Sequence, residues 1–523
     1  MKELQLFSQP LLKILHRLKQ PIDRVAISLI CFLTILMGLL LLTGDTTSPK
    51  VREFSWQNKE ISAEDTGFLL TFNRPMDQKS VEDNLRVDPP LPGKFSWAGR
   101  RMAYTLMAPA PYGITYGLQL KDAKDKFYGE KTNSKGGVIE PFNGVFRSRD
   151  RAFVYIGVKG EEEGRLILVN LSSKEPKPIA LTPQDLVVMD FKPYPKGDRV
   201  LFSASDRALM STGTLQQEIF TVTTGLNPQS PGEEIISNQV AGKLEKVLGS
   251  GDYQNLKFDL SSNGKIIVIQ RVNKEKPADF GPWIIEEGEF PRRLENTEQG
   301  GDFMIRPDHK SMVISQKQGL SIIHFNPKEG EVVFLPKFAQ VLGFSRDNSA
   351  AVYVKYNTDY TRSLFLVNNQ GLEQEMLRIP GSIISVQFDP RDTEGVKNTR
   401  LYCLLTQRLD TEKYQEQPFI ALLDLAKKTL TPLLVLPNNQ PDIHLSLSPD
   451  GFALLFDQTI TNKNGGEMDQ PRGEGGNAIG NSRLWLLPLV DMSNDGTKSE
   501  IKPEELPFAG PYYWAGFICS GLR

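Results

Sequence analysis

Apolar residues in this chain form one long uninterrupted run near the start, followed by many short runs separated by polar turns. The long run, Val25 to Gly44, contains twenty residues and no charge. At a rise of about 1.5 Å per residue, a helix of this length spans the roughly 30 Å hydrocarbon layer of a membrane. The pattern therefore predicts one transmembrane helix over residues 25–44.

The charges that flank this run predict its orientation. Five basic and two acidic side chains precede it, whereas Asp45 follows it directly. Basic residues concentrate on the cytoplasmic side of membrane helices, so we expect residues 1–24 in the cytoplasm and the bulk outside. Outside means the periplasm or cell surface of a bacterium, or the thylakoid lumen of a cyanobacterium. A cleaved signal peptide is disfavoured, because the basic region is long and no A-x-A-like site follows the run.

The first twenty residues alternate leucines with basic residues at helical spacing. One interpretation is an amphipathic helix that lies on the anionic inner face of the membrane. The other is a basic tail that only sets the orientation of the membrane helix. The sequence leaves both open.

Residues 50–148 consist of short β-prone runs separated by proline-containing turns. About a hundred residues of such runs is the size of a β-sandwich. The turn-forming clusters include residues 88–90 and 108–111. The β-prone runs are Gly67–Phe72, Lys94–Trp97, Met102–Leu106 and Tyr116–Leu120.

Three features of this region resemble the bacterial Ig-like domain of the S-layer type. They are the turn Phe72–Asp77 (FNRPMD), the Gly93-x-x-x-Trp97 segment and the Tyr112-x-x-x-Tyr116 segment. The resemblance implies an Ig-like sandwich over residues 50–148. Domains of this kind are commonly spacers between an anchor and a larger module.

A turn pattern recurs six times after residue 150. In this pattern an apolar residue is followed by one or two polar residues, then by Pro or Ser, and then by Asp or Asn and often Gly. A β-prone run comes directly after the turn. Pro fixes φ, Asp or Asn accepts hydrogen bonds from the turn backbone, and Gly adopts positive φ. Strand units repeated at roughly 40–60 residues are typical of β-propeller blades. The turns lie at residues 191–198, 258–264, 305–310, 344–348, 388–392 and 447–451.

These turns resemble the S-P-D-G repeats of TolB-like and WD-type propellers, and the resemblance covers residues 150–520. The full form occurs at Ser448–Gly451. The expected fold class is therefore all-β: an Ig-like sandwich and a propeller, preceded by one transmembrane helix.

The two ends of the propeller region predict how its ring closes. Residues 153–181 supply three strands that no inner strand precedes, and residues 512–518 form one β-prone run that no strand follows. Pairing the two ends would complete one shared blade and protect its edges. This gives seven blades. Six is the alternative, because residues 205–250 are irregular.

Composition narrows the partners that we expect. The formal net charge is −2, with 61 basic and 63 acidic side chains, and this lacks the basic surplus typical of nucleic-acid binding. The sequence has three cysteines, Cys31, Cys403 and Cys519. They form no CxxC motif, and their number and spacing do not indicate a set of stabilising disulfides.

No catalytic, cofactor or metal site is predicted from residue spacing. The histidines, His16, His309, His324 and His444, lack the spacing of zinc ligands. No G-x-S-x-G nucleophile turn is present, and the acidic clusters at residues 161–163 and 286–287 lack the spacing of a calcium loop.

The segment Thr461–Ser482 is rich in Gly and Asn. It lacks the Lys-Ser/Thr pair of a phosphate-binding loop, so we expect a flexible insertion between two propeller strands.

Together these features favour a non-enzymatic binding or scaffold protein, attached to the membrane through residues 25–44. Its propeller would hold a protein or an envelope polymer. The alternative is a propeller hydrolase or lyase with a site at the channel mouth, because such sites are built from residues of several blades.

Overall fold

The first described element of the computed structural model is a helix, α1, Pro21–Thr43, in the region where the transmembrane helix was predicted. No helix among the described residues is both long and apolar enough to cross a membrane. The N-terminal tail, residues 1–20, lies outside the described part of the chain. The structure describes residues 21–43, 48–128, 137–211, 216–226, 240–294, 300–316, 318–391, 399–409, 414–437, 443–462, 478–489 and 512–518.

Two four-stranded sheets follow and pack face to face as a β-sandwich. Their strand orders are β1-β3-β6-β5 and β2-β8-β7-β4, and helix α2, Gln78–Asn84, connects β3 to β4. The strands are β1 Val51–Phe54, β2 Glu60–Ile61, β3 Gly67–Phe72, β4 Leu85–Asp88, β5 Gly93–Ala98, β6 Arg101–Leu106, β7 Thr115–Leu120 and β8 Phe142–Ser148.

Aromatic side chains fill the core between the two sheets. Phe146 contacts Trp56 and Tyr116 with ring centroids 5.1 and 5.2 Å apart. Trp97 stacks on Phe72 at 6.0 Å and donates a hydrogen bond to Glu82 of α2. The aromatic residues that carry the Ig-like resemblance are thus part of this sandwich, and contacts of this kind add to the free energy gained from apolar burial.

Seven further sheets occur in the part of the chain that the structure describes. Their orders are β35-β9-β10-β11, β12 to β15, β16 to β19, β20 to β23, β24 to β27, β28 to β31, and β32-β33-β34, and we number them sheets 1 to 7. A short helix, α3, Arg207–Ser211, follows β13 in the region expected to be irregular.

The strands of these sheets are antiparallel to their neighbours. They are β9 Ala152–Gly157, β10 Leu166–Asn170, β11 Ile179–Ala180, β12 Leu186–Pro193, β13 Arg199–Asp206, β14 Glu218–Thr223, β15 Leu244–Leu248, β16 Tyr253–Leu260, β17 Ile266–Asn273, β18 Phe280–Glu286, β19 Arg292–Arg293, β20 Phe303–Ile305, β21 Ser311–Gln316, β22 Gly319–His324, β23 Val333–Leu335, β24 Gln340–Phe344, β25 Ala350–Tyr356, β26 Arg362–Asn368, β27 Glu373–Ile379, β28 Ile383–Phe388, β29 Arg400–Arg408, β30 Glu416–Asp424, β31 Thr429–Val435, β32 Leu445–Leu447, β33 Ala453–Asn462, β34 Ala478–Pro488 and β35 Tyr512–Ile518.

The first strands of the seven sheets are neighbours in a ring, as in a β-propeller. Successive contacts join β16, β20, β24, β28, β32, β35 and β12. An ion pair between Lys192 and Asp259 joins β12 to β16, and Leu201 and Phe258 share the apolar core between sheets 2 and 3. The sheets are therefore held by apolar packing between neighbours, while backbone hydrogen bonds hold each sheet.

The C-terminal strand β35 pairs antiparallel with β9, with Ile518 opposite Ala152 and Trp514 opposite Ile156. This is the pairing that the sequence predicts for residues 512–518. Strands β33 and β34 extend into the predicted insertion 461–482, whose residues 463–477 lie outside the described part of the chain.

The recurrent turns share one hydrogen-bonding arrangement. The hydroxyls of Ser261, Ser345 and Ser448 each accept the backbone N–H five residues ahead, at 2.9 Å. The residue three positions after each serine has positive φ, as Gly264 and Asn348 do. His309 has the same conformation in sheet 4, with φ of 57°, so this histidine lies in a turn, as predicted. Positive φ is easiest for Gly and tolerated by Asn, which explains the residues found there.

The sandwich docks on these turns at one face of the ring. The fully buried carboxylate of Asp450, in the turn of sheet 7, accepts the Tyr112 backbone N–H at 2.9 Å and the Arg151 guanidinium at 2.7 Å. In the turn of sheet 5, Arg346 donates to the Ala63 carbonyl at 3.2 Å. Asp450 thus ties the sandwich, the first sheet and the last sheet together.

Replacing Asp450 with Asn should destabilise the chain by about 3 kcal/mol, because Arg151 would lose its ion pair in a buried setting. Urea unfolding measures this loss, and hydrogen exchange should show faster exchange of the Tyr112 amide. The matched control is Asp347→Asn, since Asp347 is the equivalent turn residue of sheet 5 but is exposed. An equal loss of unfolding free energy in both variants would contradict the proposed role of Asp450 in joining the sandwich to the ring.

Deleting residues 512–523 should lower the melting temperature and promote aggregation, because it leaves the edge of β9 without its partner strand. Deleting residues 519–523 is the control, since it retains all of β35. Thermal unfolding and light scattering of the full chain and both truncations would measure the effect. An unchanged melting temperature and solubility of the longer deletion would refute closure by β35.

Candidate functional site

A cavity of about 300 Å³ lies at the centre of the ring. Strands β12, β16, β20, β24, β28 and β32 line it, which are the first strands of sheets 2 to 7. The lining takes consecutive residues from these strands, such as Gln340–Phe344 and Ile384–Phe388, because the edge of each first strand borders the cavity.

Two ion pairs form one wall of this cavity, on the side of sheets 2 to 4. Lys192 Nζ lies 3.5 Å from Asp259 Oδ1, and the side chains are 12% and 3% exposed. Lys257 Nζ lies 2.7 Å from Asp302 Oδ1, and these side chains are 44% and 65% exposed. The first pair is therefore largely shielded from water, whereas the second is solvated.

Burial raises the pKa of Asp259 to about 7. Hydrogen bonds from the Ile305 and Leu260 backbone and the charge of Lys257 oppose this rise, while the negative charge of Asp190 adds to it. Asp259 Oδ2 accepts the Ile305 N–H at 2.9 Å. This carboxyl group therefore changes its charge near neutral pH, unlike an ordinary aspartate.

The opposite wall is mainly apolar and comes from sheets 5 and 6, with residues such as Val341, Leu342 and Val386. Gln387 fixes β28 to β32, because its amide donates to the Leu445 carbonyl at 2.7 Å and accepts the Leu447 N–H at 2.6 Å. Ser385 also lines this wall. Its hydroxyl oxygen is buried and has no hydrogen-bond partner among the described residues.

The residues weighed in the sequence do not meet at this cavity. Its described lining contains no histidine, cysteine, glutamate or arginine. His444 Nδ1 instead lies 3.2 Å from the buried carboxylate of Asp457, and His324 ends β22. No group of three or more His, Cys, Asp or Glu in the described ranges could hold a metal ion.

The cysteines give no candidate nucleophile in the described part of the chain. Cys403 is buried in β29, and burial raises the pKa of its thiol to about 12, so the thiol stays protonated. Cys31 is exposed on α1. His16 and Cys519 lie outside the described residues.

The acidic clusters at residues 161–163 and 286–287 include side chains that make local contacts near turns. Glu162 accepts a hydrogen bond from the Tyr155 hydroxyl, and Glu286 pairs with Arg292 at 2.7 Å.

A second candidate site is an aromatic surface on the other face of the ring. Tyr356 ends β25, Tyr360 lies in the turn between β25 and β26, and Tyr414 lies just before β30. They are 59%, 88% and 64% exposed. Turns between second and third strands lie at the opposite ends of the sheets from the turns that hold the sandwich. We call Tyr356, Tyr360, Tyr414, Arg362 and Arg408 the tyrosine face.

Arginines lie beside two of these rings. The guanidinium carbon of Arg362 is 5.8 Å from the Tyr356 ring centroid, and that of Arg408 is 5.5 Å from the Tyr414 centroid. Contacts at such distances are cation–π interactions. Arg362 also donates a hydrogen bond to the Gly381 carbonyl at 2.8 Å.

Glu416 joins the two sheets that carry the tyrosine face. Its carboxylate accepts hydrogen bonds from Thr406 at 2.6 Å, from Ser382 at 2.8 Å and from the Tyr414 hydroxyl. Arg362 lies 3.7 Å away. The Tyr414 ring is therefore attached to a hydrogen-bonded framework between sheets 5 and 6.

An apolar groove of about 530 Å³ adjoins this framework. It lies between the end of β27 and the outer strands of sheet 6, and Thr406 belongs to both groove and framework. Its apolar lining includes Ile379, Pro380, Leu409, Phe419, Pro432 and Val435.

Sequence reasoning missed both sites. Lys192, Asp259 and Ser385 lie far apart in the chain and share no spacing signal. The tyrosines resemble any other aromatic residues near strand ends, because exposure follows from the fold and not from local sequence.

No family model and no curated protein matches the chain. Among solved structures, TolB from Acinetobacter baumannii is 10% identical, with a TM-score of 0.36 and 83% of each chain covered. An uncharacterized protein from Listeria monocytogenes EGD-e is 11% identical, with a TM-score of 0.40 over 59% of this chain and 86% of that one.

An oligogalacturonate lyase from Vibrio parahaemolyticus is 12% identical, with a TM-score of 0.34 over 59% of this chain and 93% of that one. Similarity at this level identifies no function.

The titration of Asp259 predicts a specific pH dependence of stability. Its pKa in the folded chain is raised above the ordinary 3.8, so its protonated form favours folding. The free energy of unfolding should therefore fall as pH rises from about 4 to about 7, by up to about 1.4 kcal/mol per pH unit. Asp259→Asn should remove this slope.

Urea unfolding of the wild type and of Asp259→Asn across pH 4 to 8 measures the difference. Asp302→Asn is the matched control, because Asp302 lines the same cavity but is solvated. Parallel pH profiles of the wild type and Asp259→Asn would contradict the prediction.

Proposed function

We propose that this chain is a membrane-anchored, non-enzymatic binding or scaffold protein. Residues 25–44 anchor it, with residues 1–24 in the cytoplasm, and the bulk lies in the periplasm or at the cell surface. An Ig-like sandwich at residues 50–148 positions a seven-bladed propeller that holds a protein or envelope-polymer partner. The uncharged run and its basic flank support the anchor.

The tyrosine face carries this proposal. Exposed Tyr and Arg side chains are the residues enriched at binding hot spots, because they offer large contact areas and several hydrogen bonds. The hydrogen bond from the Tyr414 hydroxyl to Glu416 lowers the entropy lost when a partner orders this side chain. The adjoining groove offers apolar surface for the same partner.

The placement of this surface fits the proposed architecture. The sandwich occupies the face that bears the Asp450 and Arg346 turns, and the tyrosine face lies at the other ends of the sheets. A partner can therefore bind the propeller without displacing the sandwich.

A photo-crosslinking amino acid at position 360 or 414 of the full chain should yield a discrete cross-linked partner in cells of its own species. The matched control position is Phe290, which is 90% exposed against 88% for Tyr360 but lies in a turn of sheet 3. Gel shifts and mass spectrometry would identify the adducts.

The double variant Tyr356→Ala, Tyr414→Ala should lower recovery of that partner by at least about tenfold, and Phe290→Ala should leave it unchanged. Adducts of equal yield and identity at all three positions, or no adduct at 360 and 414, would rule out the tyrosine face as the binding surface.

A further inference from the structure

We propose that the central cavity binds a small organic monocarboxylate, whose carboxylate pairs with Lys192 and whose apolar body lies along the wall of sheets 5 and 6. This site is separate from the tyrosine face, and it concerns a small ligand and not a macromolecular partner.

The first argument is the state of Lys192. Its ammonium has three N–H donors and is 12% exposed, yet within the described ranges its one contact is Asp259 at 3.5 Å. Charge-assisted hydrogen bonds to carboxylates are about 2.7–2.9 Å long. The other ion pair of this wall, Lys257 with Asp302, has such a distance, 2.7 Å, but its side chains are exposed to solvent. Lys192 is therefore a shielded cation with unused donors that face the cavity.

Asp259 cannot satisfy this cation fully. One of its oxygens already accepts the Ile305 N–H, and burial favours its neutral form. Asp190, which raises the pKa of Asp259, and Asp302 are the other carboxylates near this wall, and Lys257 is the other cation. The cavity therefore suits a single negative charge, since a dianionic phosphate would be repelled by the neighbouring carboxylates.

The second argument is the opposite wall. Apolar residues of sheets 5 and 6, among them Leu342, Ile384 and Val386, line this side of the cavity. The cavity has a volume of about 300 Å³. A cavity of this size with an apolar wall and a few polar groups is typical of small-molecule sites.

Calorimetric titration of the detergent-solubilised full chain tests the proposal. The probes are 3-(4-hydroxyphenyl)propionate, which carries a carboxylate, an apolar ring and a hydroxyl, and octanoate, which lacks the hydroxyl. The corresponding amide of the first probe is the uncharged comparison. We expect at least one acid to bind, and its amide to bind at least about tenfold more weakly.

Three variants separate the roles of the residues. Lys192→Met should weaken acid binding by at least about tenfold, whereas Lys257→Met, the matched control in the solvated pair, should change it by less than about threefold. Asp259→Asn should strengthen binding, because it removes the carboxylate that competes for Lys192 and keeps an acceptor for the Ile305 N–H. A gain in affinity cannot result from misfolding.

The proposal is overturned if neither acid binds, if the amide binds as well as the acid, or if Lys192→Met binds like the wild type. None of these results bears on cross-linking at positions 360 and 414, so the two proposals fail independently.

Discussion

Backbone pairing between β35 and β9 is the constraint on which the ring depends, because every other sheet of the ring is made from consecutive strands. Residues 152 and 518 lie at opposite ends of the part of the chain that forms the seven sheets, and they face each other in the first sheet. Their hydrogen bonds convert a linear series of sheets into a closed ring, in which each sheet packs against two neighbours. Without that pairing, the first and last sheets would each present an unpartnered face and an open edge.

The same region of the ring also receives the sandwich. Asp450 lies in the last sheet, accepts hydrogen bonds from Arg151 at the start of the first sheet, and accepts another from the Tyr112 backbone of the sandwich. A carboxylate without solvent contact is stable only when paired and hydrogen-bonded, so Arg151 and the Tyr112 backbone are held in place. The closure of the ring and the position of the sandwich are therefore coupled through Asp450.

The centre of the ring combines two unlike walls. Lysines and aspartates from sheets 2 to 4 face aliphatic residues from sheets 5 and 6 across about 300 Å³. Low water access near Lys192 and Asp259 strengthens their electrostatic interactions and shifts the pKa of Asp259, as expected in a region of low dielectric constant. The tyrosine face is instead solvated, and its contribution to binding would come from contact area and arginine hydrogen bonds.

The sequence by itself determined the local structure: the recurrent turns, most strands between them, the aromatic core residues Phe72, Trp97 and Tyr116, and the closing role of residues 512–518. Turn chemistry and strand alternation are local properties, so they can be recognised within a few residues. Only the tertiary structure decided that Lys192, Asp259 and Ser385 meet in one cavity, and that Tyr356 and Tyr414 lie together on one face. Those encounters depend on the position of each sheet in the ring, and burial of the surrounding surface then sets their chemistry. Neither the position of a sheet in the ring nor the burial of a side chain can be read from residue spacing along the chain.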